Sequence, residues 1–201
     1  MYRLIESILI ENRQPHLMEY HNRRFNNACR DLFNMAANFD LNRYIKFDPG
    51  ITNERYKYRI LFDGDTFETH IQRYIQRKTE TLRLVKVDDI EYPYKTTDRQ
   101  KLDEAFGWRN YCDDVIIVRK GMITDAYFSN ILLFDGKNWI TPAKPLLKGV
   151  QRAFLLDKKR IIEKDVSIDE IYNYKYIKLI NAMIPFEKAD VVDVPKDVFE
   201  L

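Results

Sequence analysis

Cysteine is nearly absent from this chain: its 201 residues hold only Cys29 and Cys112, with no C-x-x-C. That excludes a disulfide framework and a thiolate zinc site, and it suits a reducing, cytoplasmic setting. Histidine is as scarce. His16, His21 and His70 never stand three or four residues apart, so no metal site is expected. An excess of one charge is also missing, with 33 Lys+Arg against 31 Asp+Glu and a net charge of +2. Such a balance gives no polyanion-binding argument, and a nucleic-acid partner is not expected. The basic residues around 55–59 and 73–78 read as solvated strand faces. Long hydrophobic runs are lacking too. The opening MYRLIESILIENRQ sets Arg3 and Glu6 inside its apolar stretch, so it reads as neither a signal peptide nor a membrane span. Repeats and low-complexity tracts are absent. What remains is a chain with 45% hydrophobic residues, long enough for one large domain or two small ones with a real core.

The pattern alternates strand and helix signals. LIESILIE near the start reads as a strand, and from Leu17 the positions Leu17, His21, Phe25, Ala28, Leu32 and Ala36 form a helical stripe. A loop is expected at Pro49 and Gly50. Three strand-like runs follow, YKYRILFDG (56–64), TFETHIQRYI (66–75) and TLRLVKV (81–87), with Asp63 and Gly64 marking a hairpin between the first two. Beyond Tyr92 and Pro93, residues 98–108 read as a helix. Then come three short strands (DDVIIVRKG, FSNILLFDG, NWITP) with turns at Gly121 and Gly136. A helix in GVQRAFLLDKKR, a strand in RIIEKDV and a short helix in SIDEI capped by Ser167 follow, and YIKLINAMIPF and ADVVDV read as the last strands. The expected architecture is α+β, with a small α/β domain over 1–90 and a larger, β-rich, barrel-like domain over 91–201.

Residues 121–152, GMITDAYFSNILLFDGKNWITPAKPLLKGVQR, carry most of the chemistry. A helix opening at Gly149 presents free N–H groups and a positive dipole end, which suits a phosphate. A nearby acid, Asp125, suits a cationic ring nitrogen. Together they ask for a phosphorylated, nitrogen-containing cofactor, of which pyridoxal phosphate (PLP) is the leading candidate, and PLP needs a lysine. Lys95, in EYPYKTTDR, is placed for that, with Tyr92 and Tyr94 as flanking walls. Arg24, in HNRRF, could clamp a phosphate through its fork, with His21 one turn earlier on the same face. Asn181 ends an apolar strand and needs a partner, either a phosphate or a backbone group. Each residue alone also has a plainer reading: loop lysine, turn aspartate, N-cap glycine, surface arginine, packing histidine.

The order and spacing of these segments resemble the class IV aminotransferase family, the fold-type IV PLP enzymes, over roughly residues 1 to 195. HNRRF resembles H-x-x-R-L, which puts Arg24 at the cofactor phosphate. YKTTDR resembles K-T-x-x-R, which makes Lys95 the lysine that bonds the cofactor. ITDAYFSNILLFDG resembles V-T-E-x-x-x-S-N-[IL]-F, which sets Asp125 facing the pyridine nitrogen. TPAKPLLKGVQR resembles T-P-…-L-L-P-G-[IV]-x-R, so that Gly149, Val150 and Gln151 supply phosphate-binding amides. LINAMIPF resembles the N-A-L-M-P segment of the family's lyase members, which gives Asn181 and Ala182 a further phosphate contact.

The resemblance implies a two-domain fold like that of D-amino-acid aminotransferase, PLP as cofactor, and a cytoplasmic homodimer that acts on a small amino substrate. NAMIP tilts the implied activity toward aminodeoxychorismate lyase of folate synthesis. The alternatives are an aminotransferase for a small D- or branched-chain amino acid and a degenerate PLP-binding or dimerisation protein. Arg59 and Tyr92 or Tyr94 could face the substrate. The departures are specific. The chain starts at the segment that LIESI resembles, so the first domain is expected to be shortened at its N-terminus. Asp125 stands for the usual glutamate, one methylene shorter. Lys148 replaces a proline, and Gln151 stands where a hydroxyl residue is common.

Overall fold

The computed structural model describes residues 2–47, 50–195 and 198–200; Pro49 of the expected loop lies outside them, and Gly50 stands in a turn. The chain divides into two compact units, Met1–Gln76 with Tyr94–Asp98, and Arg77–Pro93 with Arg99–Leu201.

In the first unit, β1 (Leu4–Glu11) pairs antiparallel with β2 (Gln14–Pro15) and β3 (Tyr56–Phe62), and β3 with β4 (Phe67–Arg73), giving the order β2-β1-β3-β4. The expected hairpin joins β3 to β4. Gly64 takes φ +106°, and the Asp63 carboxylate accepts the N–H groups of Asp65 and Thr66 at 3.0 and 2.8 Å. The α-helix α1 (Met18–Phe33) belongs to this unit. Alternation along β1 puts Leu4, Ile8 and Ile10 in one core with Phe25, Ala28 and Cys29 of α1. The same alternation puts Glu6 in that apolar row, where it is buried.

The helical stripe ends sooner than expected. Asn34 adopts φ 51° and caps α1, its N–H bonding the Cys29 carbonyl, so Ala36 lies beyond the helix. Leu32 is exposed, and Cys29 and Ala37 are buried in place of Leu32 and Ala36.

The second unit is β-rich. Its strands are β5 (Leu82–Lys86), β6 (Asp114–Arg119), β7 (Met122–Ala126), β8 (Asn130–Phe134), β9 (Trp139–Pro142), β10 (Ile162–Lys164), β11 (Tyr176–Ile180), β12 (Val192–Asp193) and β13 (Val198–Glu200). They form one mixed sheet in the order β10-β9-β8-β7-β6-β5-β13, with β11 also joined to β8 and β12 to β11. Two helices accompany it, α2 (Gln100–Gly107) and α3 (Val150–Asp157). Residues 81–87, read from sequence with the first domain, contribute β5, which pairs in parallel with β6 after the α2 crossover. The break expected at 90/91 therefore falls earlier, near residue 76, and residues 94–98 return to the first unit.

Three further expectations change. Asp125, whose plainer reading is a turn aspartate, lies on a strand, since residues 122–126 form β7. SIDEI is a turn held by reciprocal Ser167 and Glu170 hydrogen bonds, followed by a 3-10 turn at Ile171–Asn173. The strand in YIKLINAMIPF stops at Ile180, because Asn181 folds the next residues into a tight turn. The core is continuous along the sheet, with Leu84, Ile116, Val118, Ile131, Leu133 and Ile177 all fully buried.

Candidate active site

The sequence-selected residues fall into two sets, one in each unit. Within the first unit, residues 95–97 run alongside β1 on the edge that β3 leaves open. The Ile5 N–H donates to the Lys95 carbonyl at 2.8 Å, and the Thr97 N–H to the Arg3 carbonyl at 2.8 Å. Lys95 is therefore held on a strand edge by its backbone, and its side chain is half-buried. Tyr94 donates from its hydroxyl to Asp31 at 3.1 Å. Arg59 lies on β3 opposite Ser7 and His70.

Arg24 and His21, three residues apart on α1, converge on Glu6 of β1. The carboxylate accepts Arg24 Nε at 2.8 Å and Nη2 at 2.5 Å, and His21 Nδ1 at 2.6 Å. His21 and Glu6 are 0% and 2% exposed. Burial alone would raise the Glu6 pKa, but the Arg24 guanidinium and His21 outweigh it and hold the carboxyl down at about 2. Burial lowers the His21 pKa, opposed by Glu6 and helped by the Arg24 and Lys95 charges. The imidazole is neutral at pH 7, donating from Nδ1, and its buried Nε2 has no hydrogen-bond partner. Glu6 takes two nitrogens of the Arg24 fork and leaves Nη1 for another acceptor.

Within the second unit, β7 and β8 form a hairpin in which Asp125 pairs with Asn130 and the Ala126 N–H donates to the Ser129 carbonyl at 2.9 Å. Asp125 is buried. Its Oδ1 accepts Asn130 Nδ2 at 2.7 Å and its Oδ2 accepts the Leu147 N–H at 2.8 Å. Burial pushes its pKa up to about 7, against the hydrogen bonds from Leu147 and Asn130 and the charge of Arg152. A carboxyl so poised becomes a full anion once a cationic partner arrives.

The helix α3 starts at Gly149, whose N-cap position makes no side-chain cap hydrogen bond. Gly149 has φ −69° and ψ 149°, a conformation open to any residue. Glycine is needed here for room: a Cβ would lie 2.0 Å from Asn130 Oδ1. The Thr141, Pro142 step is tied to α3 by the buried Arg152, which donates to Thr141 Oγ1 at 3.3 Å and the Pro142 carbonyl at 2.8 Å and pairs with Glu163.

Asn181 finds backbone and serine partners. Its Oδ1 accepts the Met183 and Ile184 N–H groups at 2.8 and 3.0 Å, and its Nδ2 donates to Ser129 Oγ at 3.0 Å and the Phe128 carbonyl at 3.3 Å. Arg99 Nη2 holds the Tyr127 carbonyl at 2.8 Å, with the guanidinium over the Tyr127 and Phe128 rings. The turn after Asp125 is thus fixed at successive carbonyls. Tyr92 is buried in this unit beside Arg99.

The sequence reading assigned no role to Glu6, Asn130 or Arg152. The signal for Glu6 was present: a lone carboxylate in an apolar strand needs buried donors. Among the described residues, no cluster of His, Cys, Asp or Glu could hold a metal ion, and no helix is long and apolar enough to cross a membrane.

The two-unit, mixed-sheet arrangement is that of the class IV aminotransferases and their lyase relatives. The family model for amino-transferase class IV matches residues 93–186. A Haemophilus influenzae protein described as uncharacterized is 33% identical over 185 residues, 91% of this chain and 98% of its own. A crystal structure from Haemophilus somnus 129pt, named a candidate 4-amino-4-deoxychorismate lyase, is 30% identical with a TM-score of 0.85, covering 92% of this chain and 98% of that one. A hypothetical aminotransferase from Mycobacterium tuberculosis in a PLP-bound form shares the fold at 16% identity and a TM-score of 0.71, covering 97% of this chain and 84% of that one. This chain belongs to the class IV aminotransferase family.

Proposed function

We propose that this protein is a PLP-dependent lyase converting 4-amino-4-deoxychorismate to 4-aminobenzoate and pyruvate, a step on the folate route. The match to the Haemophilus somnus protein named for that activity, over nearly the whole of both chains, carries the reading. The NAMIP segment at 181–185 supports the same choice.

The donor chemistry suits the cofactor. Arg24 keeps Nη1 clear of Glu6, the start of α3 lacks a side-chain cap, and the Asp125 carboxylate, held by Asn130 and Leu147, keeps acceptor capacity for a further donor. Arg24 and the amides of Gly149, Val150 and Gln151 would hold the phosphate, with Asn181 and Ala182 as a further contact. Asp125 would hold the protonated ring nitrogen, its shorter side chain reaching directly or through a water. Lys95 would bond the cofactor. PLP, when bound, supplies an electron sink for the carbon that carries the substrate amine. With the cofactor in place, the Lys95 amine would take the proton from the carbon that carries the substrate amine and return one to the departing enolpyruvyl group as its C–O bond breaks. The protein is proposed to work as a cytoplasmic homodimer.

An aminotransferase for a small D- or branched-chain amino acid is the second reading, favoured by the family model that matches residues 93–186. It uses the same cofactor residues. Incubating the PLP-loaded protein with 4-amino-4-deoxychorismate decides between them. The lyase releases pyruvate and 4-aminobenzoate in equal amounts. Glutamate formed from 2-oxoglutarate and an amino acid, without pyruvate release, selects the aminotransferase. Neither product from a PLP-loaded protein overturns both and leaves a binding or dimerisation module.

A further inference from the structure

The SN pair of the β7–β8 hairpin has one member with an evident partner, Ser129, which is held by Asn181. The other member, Asn130, stands where two differently read features meet. Its Nδ2 donates to Asp125 Oδ1 at 2.7 Å and to the Leu147 carbonyl at 2.8 Å. The Leu147 N–H returns a bond to Asp125 Oδ2 at 2.8 Å. Carboxylate, carboxamide and peptide thus close a ring in which both polar groups of Leu147 are used. Two acceptors fix which end of the carboxamide is NH2, since a flipped amide would set oxygen against oxygen. Oδ1 is therefore turned toward Gly149, where any side chain would strike it. Asn130 is 5% exposed and Asp125 is 4% exposed, so neither is free to relax into water.

We propose that Asn130 is a positioning residue that locks Asp125 to the start of α3, and that position 149 is glycine to leave room for the Asn130 carboxamide. The acid assigned to a ring nitrogen and the helix start assigned to a phosphate then move as one rigid piece, at a spacing set by Asn130. This deepens the cofactor assignment above and rests on it for its consequence in PLP binding. The Asn130–Asp125–Gly149 geometry itself stands without the cofactor.

A double-mutant cycle on the full chain tests it, using Asn130→Ala, Gly149→Ala and the pair, with Asn130→Ser as the milder replacement should Asn130→Ala fail to fold. Two readouts need no cofactor, thermal stability and the 13C titration of the Asp125 carboxyl, with Arg152 as the charged neighbour unchanged in every variant. The third is PLP affinity. Gly149→Ala is expected to lower stability and to weaken PLP binding about tenfold when Asn130 is present, and to change either little when Asn130 is absent. Asn130→Ala is expected to move the Asp125 midpoint upward by about one unit, because the anion loses a donor. Equal harm from Gly149→Ala in both backgrounds overturns the proposal, as does an unmoved Asp125 midpoint. If the wild type binds no PLP, the cofactor reading fails alone, and the two cofactor-free readouts still judge Asn130.

Discussion

Replacing Glu6 by glutamine should expose how the first unit holds Arg24. Glu6 receives three hydrogen bonds, two from Arg24 and one from His21, at 2% exposure. A glutamine oxygen cannot serve all three donors, and its NH2 group faces donors rather than acceptors. Breaking a buried ion pair by removing one partner costs about 3–5 kcal/mol. Linkage gives a similar figure. The Glu6 pKa falls from 4.5 to about 2, and a shift of that size corresponds to roughly 3 kcal/mol. Because the folded pKa is the lower one, this stability is present above pH 4.5 and is lost as pH falls toward 2. Both tryptophans, Trp108 and Trp139, belong to the second unit, so their fluorescence is a poor reporter of the loss. Amide hydrogen exchange in β1 and α1 is the suitable assay. Glu6→Gln should lower the opening free energy of these amides by about 3 kcal/mol at pH 7 and flatten its decline between pH 4.5 and 2. A loss below about 1 kcal/mol, or an unchanged acid limb, would refute the reasoning.

Two other substitutions probe the second unit. Asp125 has a folded pKa raised from 3.8 to about 7, so the unfolded chain gives up this proton at lower pH than the native state does. Stability should therefore fall by roughly 4 kcal/mol as pH rises from about 4 to about 7 in the cofactor-free protein. Asp125→Asn should remove that slope in denaturation measured at pH 5 and pH 8, and an identical slope in both proteins would count against a buried, neutral Asp125. Asn181→Ala strips two donors and two acceptor contacts from the turn at 181–184 and from residues 128–129. It should cost about 1–3 kcal/mol in urea denaturation followed by tryptophan fluorescence. A change within a few tenths of a kcal/mol would show that these bonds are replaced by water.

Local pattern carried much of the fold. LIESILIE became β1, the Asp63, Gly64 pair turned the hairpin, and Gly149 opened a helix, because side-chain period and turn chemistry act over a few residues. Long-range pairing was hidden. Nothing within TLRLVKV says that it will lie parallel to β6, since a parallel partner arrives only after a crossover. Residues 122–126 showed no strand signal of their own, lying between Gly121 and an Asp125 that also reads as a turn residue, yet burial of Ile123 and Ala126 in the sheet core prevails. The site was legible as a set of residues, with its wiring concealed. Arg24 was visible as a fork, whereas its carboxylate partner lies 18 positions away on another element. Gly149 was read as a place where a backbone meets a phosphate, whereas the structure also shows a side chain, Asn130, filling the space that a Cβ would need. Neither relation leaves a mark within a short window of sequence.

Lys95 is the residue proposed to bond PLP, and chemical trapping tests that assignment directly. Purified protein loaded with PLP should be yellow, and borohydride followed by peptide mass mapping should place the reduced pyridoxyl group on Lys95, with Lys95→Ala losing both colour and label. A protein whose absorbance is unchanged by PLP, or a label found on another lysine while Lys95→Ala stays yellow, would contradict it.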